Sequence, residues 1–140
     1  MSKIFCDIAD INLIKKFNKK DIVKGFTTNP TLMRKAGAKN YLKYSNQILR
    51  ITKKPVSLEV FADDVKSMNY QGKKISKLGK NVFVKVPVTN SKGKFMGEVI
   101  KTLNQDKIKL NITAVYTAKQ TKQILKKIDK KTKVIISIFA

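Results

Sequence analysis

The chain has 140 residues, with 31 lysine or arginine residues against 9 acidic ones, no histidine and a net charge of +22. This length predicts a single domain, residues 1–140, with enough chain for a hydrophobic core. One cysteine, Cys6, excludes an internal disulfide framework, and the lack of histidine argues against a zinc site. No segment is typical of a membrane span or a secretory signal, so we expect a cytoplasmic protein without a membrane partner.

Short β-rich runs alternate with helical runs along the chain. The predicted strands are Lys3–Ala9, Gly25–Asn29, Pro55–Phe61, Asn81–Thr89, Lys109–Val115 and Lys133–Phe139. The predicted helices are Ile11–Phe17, Pro30–Ala36, Tyr41–Ile51, Val65–Leu78, Met96–Leu103 and Ala118–Ile128, with N-caps expected at Asp10, Asp63, Asp64 and Thr117. This alternation predicts a parallel sheet with right-handed crossovers, either a (β/α) barrel or a doubly wound sheet.

Side-chain parity distinguishes between these two folds, because successive side chains of a strand point to opposite faces. Each predicted strand has one aliphatic face, and the opposite face carries polar groups towards the carboxyl end: Asp7, Asn29, Glu59, Lys85, Asn111 with Thr113, and Ser137. One such residue is explained by a hydrogen bond in the core, but packing hardly explains six. Barrel enzymes place their catalytic residues at the C-terminal strand ends, pointing inward, so the pattern favours the (β/α) barrel over the doubly wound sheet.

The fourth predicted strand is the most informative. Four valines share one of its faces, and Lys85 lies on the other, between Phe83 and Pro87. An ammonium group in the protein interior is costly unless it is paired, hydrated or deprotonated. A desolvated lysine with a lowered pKa is the usual nucleophile of Schiff-base chemistry. The alternative is a lysine that extends its head to solvent at the strand end.

The net charge first suggests a nucleic-acid partner. However, 29 of the basic residues are lysine, and arginine, the preferred reader of base edges, occurs only at Arg34 and Arg50. The lysines are also spread over the whole sequence instead of forming one stripe or tail. We therefore expect solvated faces and no nucleic-acid partner, with a positive surface that favours anionic substrates such as sugar phosphates by steering.

Six segments carry a more specific signal. They are Phe5-Cys6-Asp7, residues 25–32 (GFTTNPTL), residues 56–60 (VSLEV), residues 82–87 (VFVKVP), residues 110–113 (LNIT) and residues 137–140 (SIFA). Together they resemble the transaldolase family, in its short branch that also contains fructose-6-phosphate aldolase. The resemblance implies a (β/α)8 barrel of class I aldolase type that uses no metal and no cofactor. It also implies sugar-phosphate substrates, a place in the pentose phosphate pathway and assembly into homo-oligomers.

The resemblance further implies roles for the candidate residues. Lys85 matches the lysine that forms the Schiff base, and Asp7 matches the acid/base residue at the breaking carbon–carbon bond. Glu59 and Thr113 match residues that hold the water used in making and breaking the Schiff base. The residues that match binding groups for the dihydroxyacetone part of the substrate are Asn29, Asn111 and Ser137, with Phe139 beside them. Thr27 and Thr28 are expected outside direct contact with substrate, and strand packing explains these two residues about as well.

Two positions bear on the type of reaction. The aldolase branch typically has glutamine at the position of Glu59 and tyrosine at that of Phe139. Glutamine cannot move a proton, whereas glutamate can, and phenylalanine cannot deliver the proton that releases free dihydroxyacetone. Glu59 and Phe139 therefore predict transfer of a dihydroxyacetone unit, with aldolase-type cleavage as the alternative.

Members of the resembled family continue beyond the sixth strand, and barrels of this type usually need at least about 200 residues. The sequence ends on an apolar run, residues 134–140, that would leave an unpaired strand edge. We therefore expect a fragment of a longer gene product with about six of eight β/α units. The remaining alternatives are an inactive fragment and a basic nucleic-acid-binding protein that keeps a degenerate barrel.

Overall fold

The computed structural model describes all of residues 1–140 and contains six strands and six helices. The strands are β1 (Ile4–Asp7), β2 (Val23–Thr27), β3 (Val56–Glu59), β4 (Val82–Pro87), β5 (Leu110–Val115) and β6 (Val134–Ile138). The helices are α1 (Ile11–Asn18), α2 (Pro30–Lys35), α3 (Tyr41–Ile51), α4 (Val65–Ser76), α5 (Gly97–Gln105) and α6 (Ala118–Leu125). None of these helices is long and apolar enough to cross a membrane.

The six strands form one parallel sheet in the order β1-β2-β3-β4-β5-β6. A doubly wound sheet would reverse its strand order at a switch point, whereas this sheet adds each strand beside the previous one. The sheet curls into a half-barrel in which β1 pairs only with β2, and β6 only with β5. The fold is therefore an incomplete (β/α) barrel of TIM-barrel type, which confirms the prediction made from side-chain parity.

The hydrophobic core lies between the outer face of the sheet and the helices. The four valines predicted to share one face are all at most 3% exposed: Val82, Val84, Val86 and Val88. They belong to one cluster of 25 buried residues that includes Leu58 and Ile112 of the neighbouring strands and Met68 and Leu103 of the covering helices. Each fully buried side chain of this kind contributes about 1.5–3 kcal/mol. The outer face thus stabilises the sheet, and the polar candidate residues lie on the inner face.

Side-chain caps begin most of the helices. Asp10, Asp64 and Thr117 accept hydrogen bonds from backbone N–H groups of α1, α4 and α6, which confirms these three N-caps. The N-cap predicted at Asp63 is wrong, because its carboxylate accepts hydrogen bonds from the hydroxyl and the backbone N–H of Ser91, at 2.6 and 2.8 Å. These bonds, that from the hydroxyl above all, hold the pKa of Asp63 below its ordinary value. They also tie the β3–α4 loop to the β4–α5 loop.

Several elements end earlier than predicted. The helices α4 and α6 end at Ser76 and Leu125, where the apolar periodicity ran on to Leu78 and Ile128. Both of those residues still pack against the core, but from the turn that follows the helix. An apolar pattern reports burial, and burial continues past the last helical hydrogen bond.

The fold divides the lysines unevenly between the two ends of the sheet. Because all strands are parallel, the segments that lead into them meet at its N-terminal end: residues 1–3, 19–22, 52–55, 77–81, 106–109 and 126–133. These segments hold 14 of the 29 lysines and only three acidic residues. We call this surface the lysine face; its lysines are Lys3, Lys19, Lys20, Lys53, Lys54, Lys77, Lys80, Lys107, Lys109, Lys126, Lys127, Lys130, Lys131 and Lys133.

The loops at the opposite, C-terminal end carry little charge. They comprise residues 8–10, 28–29, 60–64, 88–96 and 116–117, and they hold two lysines, Lys92 and Lys94, against three aspartates. About half of the lysines therefore lie together at one end of the sheet, although they are spread along the sequence. This distribution corrects the expectation of an evenly basic surface.

Candidate active site

A cleft of about 510 Å³ lies at the C-terminal end of the sheet, where its inner face opens. Its walls come from the ends of β3, β4 and β5, from the segments that follow β2 and β3, and from the residue after β6. Five of the predicted site residues line this one cleft: Asn29, Glu59, Lys85, Thr113 and Phe139. The other three, Asp7, Asn111 and Ser137, are not part of its wall.

Lys85 is buried in the half-barrel and does not extend to solvent. Its side chain belongs to a residue that is 8% exposed, and its ammonium group donates a hydrogen bond to the backbone carbonyl of Thr28 at 3.2 Å. The Glu59 carboxylate lies 3.9 Å from the same ammonium group. The two residues face each other because they stand in register on neighbouring strands.

The environment of Glu59 favours its protonated form. Burial raises its pKa, the positive charge of Lys85 lowers it by less, and the negative charge of Asp7 adds a smaller rise. A carboxyl group with a raised pKa keeps its proton to higher pH than an ordinary glutamate does, and its carboxylate is a stronger base. The pair thus combines a sheltered amine with a carboxyl group able to exchange protons with it.

Asp7 lies at the end of β1 with an exposed side chain. Its carboxylate accepts a hydrogen bond from the Thr27 hydroxyl on the neighbouring strand at 2.7 Å. Thr27, expected outside direct contact with substrate, therefore orients Asp7.

No group of three or more histidine, cysteine, aspartate or glutamate side chains in the chain is arranged to hold a metal ion.

A chain of hydrogen bonds crosses the inner face beside the cleft. The Ser137 hydroxyl on β6 donates to the Asn111 side-chain carbonyl at 2.7 Å. The Asn111 amide on β5 in turn donates to the Ser57 hydroxyl on β3 at 3.0 Å. Strand pairing places Asn111 beside Lys85. The series of hydrogen bonds therefore passes next to the lysine, and it fixes the Asn111 side chain.

Thr113 and Ala114 form an irregular stretch of the cleft wall. Thr113 is 3% exposed, and its hydroxyl is buried without a hydrogen-bond partner. Ala114 has a φ of 58°, and the pairing of β5 with β6 shifts register between Ile112 and Val115. Such a bulge re-aims side chains, and the left-handed conformation costs a residue other than glycine about 1–2 kcal/mol. Strain of this kind is concentrated at functional sites.

Asn29 and Phe139 have structural partners as well as a place in the cleft. The Asn29 side-chain carbonyl caps α2 by accepting a hydrogen bond from the Leu32 backbone N–H at 2.8 Å, which leaves its amide group available. The Phe139 ring meets the Tyr116 ring edge-on, with centroids 5.7 Å apart, and remains 42% exposed.

Two further residues shape the cleft and were not predicted, Tyr41 and Gln71. Tyr41 on α3 donates a hydrogen bond to the Glu59 backbone carbonyl at 2.7 Å, and its ring lies 5.2 Å from that of Phe61, which lines the cleft. Burial, with the nearby Glu59 charge, raises the pKa of Tyr41 far above its usual range. The side-chain carbonyl of Gln71 on α4 accepts hydrogen bonds from the backbone N–H groups of Phe61 and Ala62, both at 2.9 Å.

A second glutamine holds the loop after β5 in the same way. The side-chain carbonyl of Gln120 on α6 accepts hydrogen bonds from the backbone N–H groups of Tyr116 and Thr117, at 2.8 and 3.1 Å. Of these contacts only the Gln120 one had a sequence signal, the spacing Thr-x-x-Gln of a capping box. Tyr41 and Gln71 come from helices, and nothing in their spacing points to a strand end.

The sequence of this chain is similar to those of known proteins. Residues 4–140 match the family described as Transaldolase/Fructose-6-phosphate aldolase. A protein of Methanococcus maripaludis named "Probable transaldolase" is 36% identical over 118 residues, which cover 84% of this chain and 53% of that protein. Proteins with the same name from Clostridium kluyveri and Thermoanaerobacter sp. are 35% and 32% identical over 118 residues, covering 84% of this chain and 53% and 52% of theirs. The chain spans about half the length of the curated relatives it matches.

Proposed function

The chain belongs to the transaldolase/fructose-6-phosphate aldolase family, and we propose that its cleft performs class I aldol chemistry, transferring a dihydroxyacetone unit from a ketose phosphate to an aldose phosphate. The observation that carries this proposal is the buried Lys85 amine beside Glu59, whose pKa is raised. A sheltered amine next to a proton-exchanging carboxyl group is what Schiff-base formation requires.

In the first step Lys85 and Glu59 act together. The Glu59 carboxylate takes a proton from the Lys85 ammonium group, and the neutral amine attacks the ketone carbon of the substrate. The carbonyl oxygen becomes a hydroxyl, receives the proton held by Glu59 and leaves as water, so that a carbon–nitrogen double bond with a positive charge remains. The Thr113 hydroxyl holds that water in this proposal, which is supported by its burial without a hydrogen-bond partner in the wall of the same cleft.

Asp7 serves the second step. Its carboxylate, oriented by Thr27, takes the proton from the hydroxyl beside the carbon–carbon bond that breaks. The bond electrons move into the iminium on Lys85, an aldehyde leaves, and a dihydroxyacetone enamine remains. Asn111 and Ser137, already fixed by their hydrogen bonds, and the free amide of Asn29 bind the hydroxyl groups of this unit.

Glu59 and Phe139 favour transfer over cleavage. Phe139 lines the cleft but has no hydroxyl to protonate the enamine, so the enamine should persist until an acceptor aldehyde arrives. The comparison to make is fructose 6-phosphate with and without erythrose 4-phosphate, measuring free dihydroxyacetone and sedoheptulose 7-phosphate. Rapid dihydroxyacetone release without acceptor would exclude transfer, and Phe139→Tyr should move the balance towards release.

Covalent trapping tests the proposal directly. Borohydride treatment in the presence of fructose 6-phosphate should add a reduced sugar mass to the peptide that carries Lys85. Lys85→Met should abolish the adduct, whereas Lys92→Met, which removes a lysine from a loop at the same end of the sheet, should retain it. An adduct on another lysine that persists in Lys85→Met would overturn the assignment.

A further inference from the structure

The lysines of the lysine face form no ion pairs. Twelve of its fourteen lysines are exposed, and none of the fourteen lies within 4.0 Å of a carboxylate, because the two ion pairs of the protein are Lys73–Asp106 and Lys85–Glu59. One of the three aspartates on the face, Asp106, is thus engaged by a lysine outside it. Like charges gathered this way repel one another, and an anionic partner relieves that repulsion.

The half-buried lysines of the face strengthen this asymmetry. The Lys54 ammonium group donates hydrogen bonds to the backbone carbonyls of Asn18 and Lys20, at 2.8 and 2.9 Å, and Lys109 donates to the carbonyl of Lys80. Neutral carbonyls satisfy the donors but leave the positive charge in place. The hydrogen bonds of these lysines therefore add no negative charge to the face.

We propose that the lysine face binds the phosphate backbone of a double-stranded nucleic acid, independently of sequence. Lysine is a point-charge phosphate binder, and no arginine, the main reader of base edges, occurs in the segments of the face. The same segments contain no phenylalanine, tyrosine or tryptophan, on which the bases of a single strand would stack. What remains is contact with phosphates, which positions a protein on a duplex without reading its bases.

The dimensions of the face suit this partner. Neighbouring strands lie about 4.8 Å apart, so the ends of six strands form an array on the order of 20 Å across. A duplex carries one charge per about 1.7 Å of its axis, so the face spans on the order of ten phosphates. An anionic membrane fits less well, because stable binding at a membrane surface adds buried apolar area to the electrostatic attraction. The exposed large apolar side chains in these segments are only Met1 and Ile22.

This inference revises the expectation of no nucleic-acid partner, which relied on lysines being spread along the sequence. It is independent of the reaction at the other end of the sheet. The test is fluorescence anisotropy of a labelled DNA duplex of about 20 base pairs, titrated with the 140-residue chain over a range of salt concentrations. With about six phosphate contacts, affinity should fall on the order of 10³-fold between about 50 and 200 mM salt.

Two matched variants identify the surface. The face variant replaces Lys126, Lys127, Lys130 and Lys131 with glutamine, and the control variant replaces four exposed helix lysines, Lys15, Lys43, Lys66 and Lys119. Both lose the same charge. The face variant should reduce the slope of log affinity against log salt by about 3 to 4, the control by less than about 1. Circular dichroism confirms that both variants remain folded.

Three results would overturn the proposal. The first is an equal loss of affinity in both variants, which would mean diffuse attraction to net charge. The second is no salt-dependent binding of the duplex. The third is tighter binding to vesicles that mix phosphatidylserine with phosphatidylcholine than to the duplex at the same salt, which would make a membrane the partner.

Discussion

The two ends of this sheet use the same side chain in opposite ways. At the C-terminal end one lysine, Lys85, is 8% exposed and lies against a carboxylate, and the surrounding loops have few charges. At the N-terminal end fourteen lysines gather without a carboxylate partner. Burial, and not the type of amino acid, therefore separates the ammonium group that we propose as a reagent from those that remain exposed charges.

The comparison also changes the interpretation of the net charge. A strand of six residues is about 20 Å long, and the Debye length at physiological salt is about 8 Å. The field of the lysine face is therefore screened before it reaches the cleft. Electrostatic steering of a sugar phosphate, expected from composition, does not follow from this charge distribution.

The largest expected effect comes from exchanging lysine for arginine at each end. Lys85→Arg should abolish both the trapped adduct and turnover, because a guanidinium group stays protonated and cannot form an iminium. Replacing Lys126, Lys127, Lys130 and Lys131 together with arginine should leave duplex affinity within about threefold at each salt concentration, since only the charge is required. Loss of duplex binding in the second variant, or activity in the first, would break the distinction between the two ends.

Replacing an aspartate at each end should give the next largest effect. Asp7→Asn preserves shape but removes the base, so kcat should fall by about 10²–10⁴-fold, with a smaller change in KM. Asp21→Asn on the lysine face should leave kcat unchanged. An unchanged kcat for Asp7→Asn would leave Asp7 with no role beyond its hydrogen bond to Thr27.

Glu59 should give a pH-dependent effect on stability. Its pKa in the folded protein is raised above the ordinary value of 4.5, so its contribution to stability is complete at low pH and is lost as pH rises through the folded pKa. Glu59→Gln should therefore raise Tm relative to the parent protein at neutral pH, and the difference should shrink towards pH 4. Glu98→Gln, at an exposed site on α5, is the matched control. The same pH trend in that variant would mean that burial of Glu59 is not the cause.

The smallest expected effect concerns one left-handed residue at each end. Lys107 and Ala114 both have a φ of 58°, and glycine adopts this conformation without the clash that a side chain causes. Glycine relieves that clash in the folded protein, but it also gives the unfolded chain more conformational freedom. The net result for Lys107→Gly and Ala114→Gly should be a free energy of unfolding that is higher by about 0.5–1 kcal/mol in denaturant titrations. Only Ala114→Gly should also alter kcat, because Ala114 follows Thr113 in the cleft wall.

The sequence predicted those features that depend on repeating patterns. Strand parity predicted the curved parallel sheet and the inward position of Lys85, since alternation directly encodes which face is buried. Five of the eight proposed site residues line one cleft for the same reason. The resemblance supplied their roles, which are still predictions.

Features that depend on contacts between distant segments were not predictable. The left-handed Ala114 has no local signal, because alanine does not favour that conformation. Asp63 has the spacing of an N-cap but bonds to Ser91, 28 positions further along the chain. The lysine face likewise exists only because parallel strands bring six separate segments to one end.

The two glutamine contacts have a consequence for how such a barrel evolves. Gln71 and Gln120 each bind the loop at the end of one strand from the helix that immediately follows it. Part of the shape of each loop is therefore encoded within its own β/α unit, and the Asp63–Ser91 bonds add a tie from the first loop to the next unit. A unit with this property can be duplicated or exchanged between barrels while the backbone at its strand end keeps the contacts that come from its own helix.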